Sequence, residues 1–205
     1  MIRCGSQLGY AAGSPIKTLG SDGRSLNFAL VGRVDTLERR GHRNIGKEGT
    51  MELKSRAFSQ GRAIPSKYTC DGKDVSPALT LTKPPSGTKS FTLIVDDPDA
   101  PMGTWIHWVI YNLPPTTRRL PEAFPTDERL SLSDGTIQGK SDFGRTAYGG
   151  PCPPDGTHRY FFRLFALDTV LSLPPASTAK EVKAAMEGQI LETAQLMGTY
   201  RRKTR

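Results

Sequence analysis

Three runs of β-forming residues, FTLIV at 91–95, HWVIYNL at 107–113 and HRYFFRLFALD at 158–168, set the main constraint on this 205-residue chain. Each is short, rich in aromatic and β-branched residues, and bounded by proline, glycine or charged residues, which favours strands over helices. Between them, glycine and proline recur too often for any regular element, as in GTIQGKSDFGRTAYGGPCPPDGT at 135–157. MELKSRAF at 51–58 reads as an earlier strand, followed by a polar loop from Gly61 to Leu79 and a turn at KPPSGTKS. Helical periodicity is confined to Thr178–Met197. There Thr178 and Glu181 form a capping box, Val182, Ala185, Met186, Ile190, Thr193, Leu196 and Met197 recur with a 3.6 period, and Gly198 is placed to stop the helix. The expected fold is mostly β, an antiparallel sandwich or barrel with a C-terminal α-helix packed on it.

The first fifty residues differ from the rest. They are rich in Gly, Ser and Arg, show no sustained apolar period and contain one Phe, one Tyr and no Trp. KEGTM at 47–51 back-translates to a set that includes a purine-rich ribosome-binding site just upstream of a start codon. Residues 1–50 therefore read as a disordered basic tail or a wrongly extended gene start, and residues 51–205 as a single domain. Of the formal charge of +8, residues 1–50 supply about half, with eight Lys and Arg against four Asp and Glu. Arg201, Arg202, Lys203 and Arg205 supply more, as a solvated tail beyond a helix end where cations suit the dipole.

No apolar run approaches the roughly 20 residues needed to span a bilayer. Neither possible start offers a charged segment followed by an apolar one, so the default address is the cytoplasm. Cys4, Cys70 and Cys152 form no disulfide framework and no CxxC pair. In a reducing cytosol, Cys70 and Cys152 are expected to remain thiols.

His107 and His158 each begin a strand, and each strand follows a constrained loop: DDPDAP at 96–101 and YGGPCPPDG at 148–156. If the two strands are neighbours, both imidazoles and the acids Asp96, Asp97 and Asp99 meet at one end of a sheet. A carboxylate there would orient the imidazoles and favour their protonation. Two oriented rings, glycine N–H groups and a tyrosine hydroxyl would cradle a small anion. Alternatively, Asp97 only bonds the N–H groups of its turn, and the histidines are satisfied strand-end residues. Ala100–Pro101 is the candidate cis bond.

DDPDAP…WIHWVIYNLP followed by YGGPCPPDGTHRYFFRLFALD resembles the two signature regions of the phosphatidylethanolamine-binding protein family, in its bacterial branch of Raf-kinase-inhibitor-like proteins. The likeness extends through YTCDGKDVSP, PPSGTKSF, SDFG and LMGTYRR, and so over essentially all of residues 51–202. It implies a Greek-key sandwich of two antiparallel sheets with an anion cavity that accepts phosphate, acetate or phosphorylethanolamine-like groups. Carried over by motif, that cavity falls to Asp97, His107, Gly150, Pro151, His158 and Tyr160, supported by Asp99, Ala100, Pro101 and Trp105, with Tyr148 and Cys152 nearby. Leu81 and Gln189 depart from the Trp and His that many bacterial relatives carry, without touching either signature.

The resemblance implies a binding and regulatory protein without catalytic residues or cofactor, whose protein partner would be a kinase or a protease. Neither specific nucleic-acid binding nor stable membrane insertion is expected. The alternative reading is a metal-assisted phosphodiesterase or hydrolase that uses the same Asp and His cluster. A Ser-based hydrolase has no GxSxG turn to stand on.

Overall fold

A computed structural model describes residues 49–125 and 134–202, and the sequence readings made for residues 1–48 and 203–205 lie outside the described residues. Among the described residues, eight strands and one α-helix follow in the order β1 (Glu52–Ser55), β2 (Leu79–Thr82), β3 (Ser90–Asp97), β4 (Trp105–Leu113), β5 (Arg119–Leu120), β6 (Ile137–Gln138), β7 (His158–Leu167), α1 (Ala179–Met186) and β8 (Ile190–Tyr200). The strands form two sheets, of order β1-β2-β5 and β6-β4-β3-β7-β8, with every neighbouring pair antiparallel.

The central strands β3 and β4 are buried on both faces, which is why their sequences read as continuous apolar runs. One face of the large sheet, carrying Leu93, Val95, Trp108, Phe162 and Leu164, packs on Leu53, Leu79, Leu81 and Leu120 of the small sheet. The opposite face, carrying Ile94, Val109, Tyr111 and Leu167, is covered by Ala179, Val182 and Met186 of α1. The expected sandwich is therefore present, with a helix layered on its outer face.

The helix is shorter than its period suggests and does not end the chain. Thr178 caps it as expected: its Oγ1 accepts the Glu181 N–H, while the Glu181 carboxylate accepts the Thr178 N–H at 2.7 Å. It stops at Met186, and Gly188 takes a left-handed φ of 75°. Residues 190–200 pair with β7 along its whole length. Their true period is two: Leu196, Gly198 and Tyr200 are buried and alternate with half-buried Met197 and Thr199. Gly198 is no helix stop. A Cβ there would lie 2.5 Å from Ile64 Cγ1, so the residue permits close approach of the 58–64 segment. Arg201 and Arg202 accordingly follow a strand rather than a helix, and Arg202 Nε donates to Asp71 at 3.1 Å.

Further departures are local. Strand β6 falls in a stretch read as irregular, while β2 beyond Leu79 and β5 received no element in the sequence reading; all three are two to four residues long. Among the described residues no peptide bond is cis, so Ala100–Pro101 is trans; a turn with Gly103 at a φ of 99° reverses the chain there instead. Among the described residues, no helix is long and apolar enough to cross a membrane.

Candidate functional site

β4, β3 and β7 lie side by side, so the end of β3 meets the starts of β4 and β7. Asp97 ends β3 two residues beyond Val95 and therefore shares its face toward the small sheet. His158 opens β7 two residues before Tyr160, on that same face. His107 arrives by a different device. Val95 pairs with Trp108 but Asp96 pairs with Ile106, leaving His107 as the extra residue of a β-bulge. The bulge turns His107 and Trp108 toward the same side, which simple alternation would forbid.

The side chains are buried and held by specific bonds. His158 Nδ1 lies 2.8 Å from Asp97 Oδ2, and the Asp99 N–H donates to Asp97 Oδ1 at 2.9 Å. Both Asp97 oxygens are thus occupied, which offsets the cost of burying a carboxylate. Asp97 thus bonds its own turn through one oxygen and meets His158 through the other. Asp99 accepts from the Arg159 backbone N–H and from its guanidinium at 2.9 and 2.6 Å, and this pairing holds its carboxyl down at about 2.

His107 differs from the sequence expectation. Its Nδ1 lies 2.6 Å from the Gly149 carbonyl oxygen, so a backbone acceptor rather than a carboxylate fixes the ring and its tautomer. Burial lowers its pKa below the ordinary histidine value, against the opposing pull of the Gly149 carbonyl and of the Asp97, Asp74 and Asp142 charges. The Tyr160 ring stands edge-on to His107, with centroids 5.2 Å apart. Its hydroxyl is buried and close enough to Asp97 to feel its charge, yet meets no partner in hydrogen-bond geometry among the described residues. Burial first, and that charge second, raise its pKa, so it stays a neutral donor.

A cavity of about 420 Å³ opens at this strand end. Asp97, His107 and His158 line it, as do Ala100, Pro101 and Trp105 from the support set. Gly150, Pro151 and Tyr160 do not line it, nor does Asp99 of the support set. The Gly150 N–H donates to Asp74 Oδ1 at 2.6 Å and that of Gly149 to the His107 carbonyl at 3.0 Å, so neither glycine offers a free N–H to a guest. Gly150 is required for close packing instead: a Cβ would sit 2.5 Å from the Tyr68 carbonyl oxygen. Tyr148 is also structural, its hydroxyl donating to that carbonyl at 2.9 Å.

Cys152 lines the cavity and is bonded to Cys70, which corrects the expectation of two thiols. The Cys70 N–H donates to the Pro151 carbonyl at 3.1 Å, bringing the two Cα atoms to 5.4 Å, within disulfide reach. Met102, Phe143, Pro153 and Pro154 also line the cavity. The sequence reading gave none of them a role; Phe143 sat within the quoted SDFG, and Met102 within the turn after DDPDAP. Among the described residues, no three His, Cys, Asp or Glu side chains converge as metal ligands.

Comparison with known proteins places this architecture. A UPF0098 protein of Methanothermobacter thermautotrophicus is 53% identical over 152 residues, which span 74% of this chain and 99% of that protein. A UPF0098 protein of Aquifex aeolicus is 53% identical over 155 residues, 74% of this chain and 89% of that one. The crystal structure of CT736 from Chlamydia trachomatis, described as a phosphatidylethanolamine-binding protein homologue, superposes with a TM-score of 0.68 at 43% identity, covering 75% of this chain and 99% of that one. Escherichia coli YbcL, described as a member of the mammalian PEBP family, gives 0.70 at 32% identity, covering 76% and 100%. The family model for phosphatidylethanolamine-binding protein matches residues 54–201, and by that match, with these relatives, the chain belongs to the phosphatidylethanolamine-binding protein family.

Proposed function

We propose that this chain is a binding and regulatory protein whose cavity takes a small anion, a phosphate, a carboxylate such as acetate, or a phosphorylethanolamine-type group. The observation that supports this best is the pair of imidazoles on one cavity wall with both Nδ1 atoms committed, one to Asp97 and one to the Gly149 carbonyl. Each ring then has Nε2 left for a guest, and a protonated imidazole donates a charge-assisted bond to an oxyanion. Because burial favours neutral His107, anion binding draws a proton onto that ring. A partner protein that presents a phosphorylated or carboxylate side chain would enter the same way, which fits a modulator of a kinase or protease.

The test is a phosphate titration of the whole chain followed through the imidazole resonances. Shifts at both His107 and His158 are expected, and silence at both rings up to millimolar phosphate would defeat the reading. The metal-assisted hydrolase asks the same residues to be ligands, but Asp97 already accepts through both oxygens and no third ligand converges with it among the described residues.

A further inference from the structure

Resting on that anion reading, we infer that the Cys70–Cys152 disulfide is a redox-active site, opened by a dithiol reductant, and that its state sets how tightly the cavity holds an anion. The bond joins a fixed turn to a loosely held stretch of cavity wall. On one side, the Thr69 N–H donates to the Ser66 carbonyl at 3.1 Å and the Gly72 N–H to the Thr69 carbonyl at 2.9 Å, which pins the backbone around Cys70. On the other side, Cys152 lines the cavity together with Pro153 and Pro154, while Cys70 does not.

Hydrogen bonds hold the 148–156 loop as far as Pro151. The Gly149 carbonyl meets His107, the Gly150 N–H donates to Asp74, and the Pro151 carbonyl accepts from Cys70. Among the described residues, no hydrogen bond reaches residues 153–157, and the next fixed point is His158 on Asp97. The sulfur bridge is therefore the last tie on this wall before β7. Breaking it would leave both imidazoles on their acceptors and loosen the wall beside them. An anion would then have to order that wall on binding, a cost the oxidised chain does not face.

Both half-cystines are exposed, although His107, His158 and Asp97 are buried. Exposed disulfides are the ones that exchange readily with thiols. One thiolate of the dithiol attacks Cys70 Sγ, the sulfur off the cavity lining; the S–S bond breaks and Cys152 leaves as a thiolate that takes a proton from water. The second thiolate of the dithiol then attacks the reductant's own sulfur in the mixed disulfide and expels Cys70, which is protonated in turn. The chain gains two electrons and two protons, and the dithiol becomes a disulfide.

Phosphate calorimetry on the whole chain at neutral pH, oxidised and dithiol-reduced, tests this, with circular dichroism reporting the fold of each form. The reduced chain is expected to stay folded and to bind phosphate about fivefold more weakly, through faster release. Cys70→Ser and Cys152→Ser should each bind like the reduced chain and no longer respond to the dithiol. Equilibration with reduced glutathione in large excess over its disulfide should open the bond, as read by labelling of free thiols. A bond that stays closed in that buffer, a reduced chain that unfolds, a reduced affinity equal to or above the oxidised one, or a dithiol response that persists in both variants would each overturn the inference. Equal phosphate binding by both forms removes this proposal alone, whereas no binding by either removes the anion reading with it.

Discussion

His158 and Asp97, sixty-one residues apart, meet through Nδ1 and Oδ2 at 2.8 Å where both side chains are almost wholly buried. The contact fixes which ring nitrogen faces the cavity side. Asp97→Asn keeps the shape but lets the amide accept from or donate to the ring. Losing a charge-assisted bond should lower unfolding stability by about 1 to 2 kcal/mol, measured by urea titration. Phosphate affinity should fall about tenfold as the ring loses its set orientation. Removing a negative charge would by itself favour an anion, so a rise in affinity would reverse the assignment of Asp97 as an orienting group.

His107 ties stability and binding to pH in opposite directions. Its pKa in the folded chain lies below the ordinary value because the ring is buried, so the unfolded chain takes up a proton first as pH falls. Its contribution to stability is therefore full above about pH 6.5, declines as pH drops below that value, and stops declining once the folded ring protonates. Anion affinity should instead rise over the same interval, because the charged ring is the better donor. Melting curves at pH 5, 6 and 7, with phosphate calorimetry in two buffers of different ionisation enthalpy, measure both. Net proton uptake on binding is expected, and its absence would show that His107 stays neutral in the complex.

The Cys70–Cys152 bond links residues 82 apart in sequence, so it removes much freedom from the unfolded chain. Loss of such a link costs about 2 to 4 kcal/mol. Cys70→Ser, or reduction with a dithiol, should lower the melting temperature by several degrees. Labelling of free thiols before and after reduction checks that the link was present. An oxidised chain that melts no higher than the reduced one would contradict its structural role.

Gly150→Ala places a methyl group against the Tyr68 carbonyl at 2.5 Å and the Asp74 carboxylate at 2.6 Å. Neither neighbour can retreat easily, since Asp74 also holds the Gly150 N–H and Arg145, while the Tyr68 carbonyl accepts from Tyr148. A loss of about 1 to 3 kcal/mol, the usual cost of overpacking, is expected in urea titration. Phosphate should bind more weakly as well, because the displaced loop carries Cys152 into a new position on the cavity wall.

The long strands were legible because β3, β4 and β7 are rich in apolar and β-forming residues, a local signal; the sequence reading brought the two histidines together by making their strands neighbours, whereas β3 lies between β4 and β7. The end of the helix was not legible. Met186, Ile190, Thr193, Leu196 and Met197 satisfy a helical period and do not share one face of a strand, yet the eleven-residue pairing with β7 overrides that pattern. The anchor of His107 also escaped, because a backbone carbonyl leaves no mark in composition. The same holds for Gly150, whose value lies in what is packed against it. Phe143 comes from a loop with no periodicity, so only the folded chain shows that it stands beside Trp105 and His107.

The extra residue in β4 has a consequence for how this segment can vary. Trp105 and Trp108 are an odd number of positions apart, yet they occupy the same side of the sheet as Asp97 and Val95, their partners in register. Deleting one residue between them would restore a regular ladder and leave no position for a second inward ring, while adding one would present Ile106 to the opening. Substitutions at the mouth can alter what is admitted, but the spacing Trp-Ile-His-Trp must keep its length for there to be an imidazole at that wall at all.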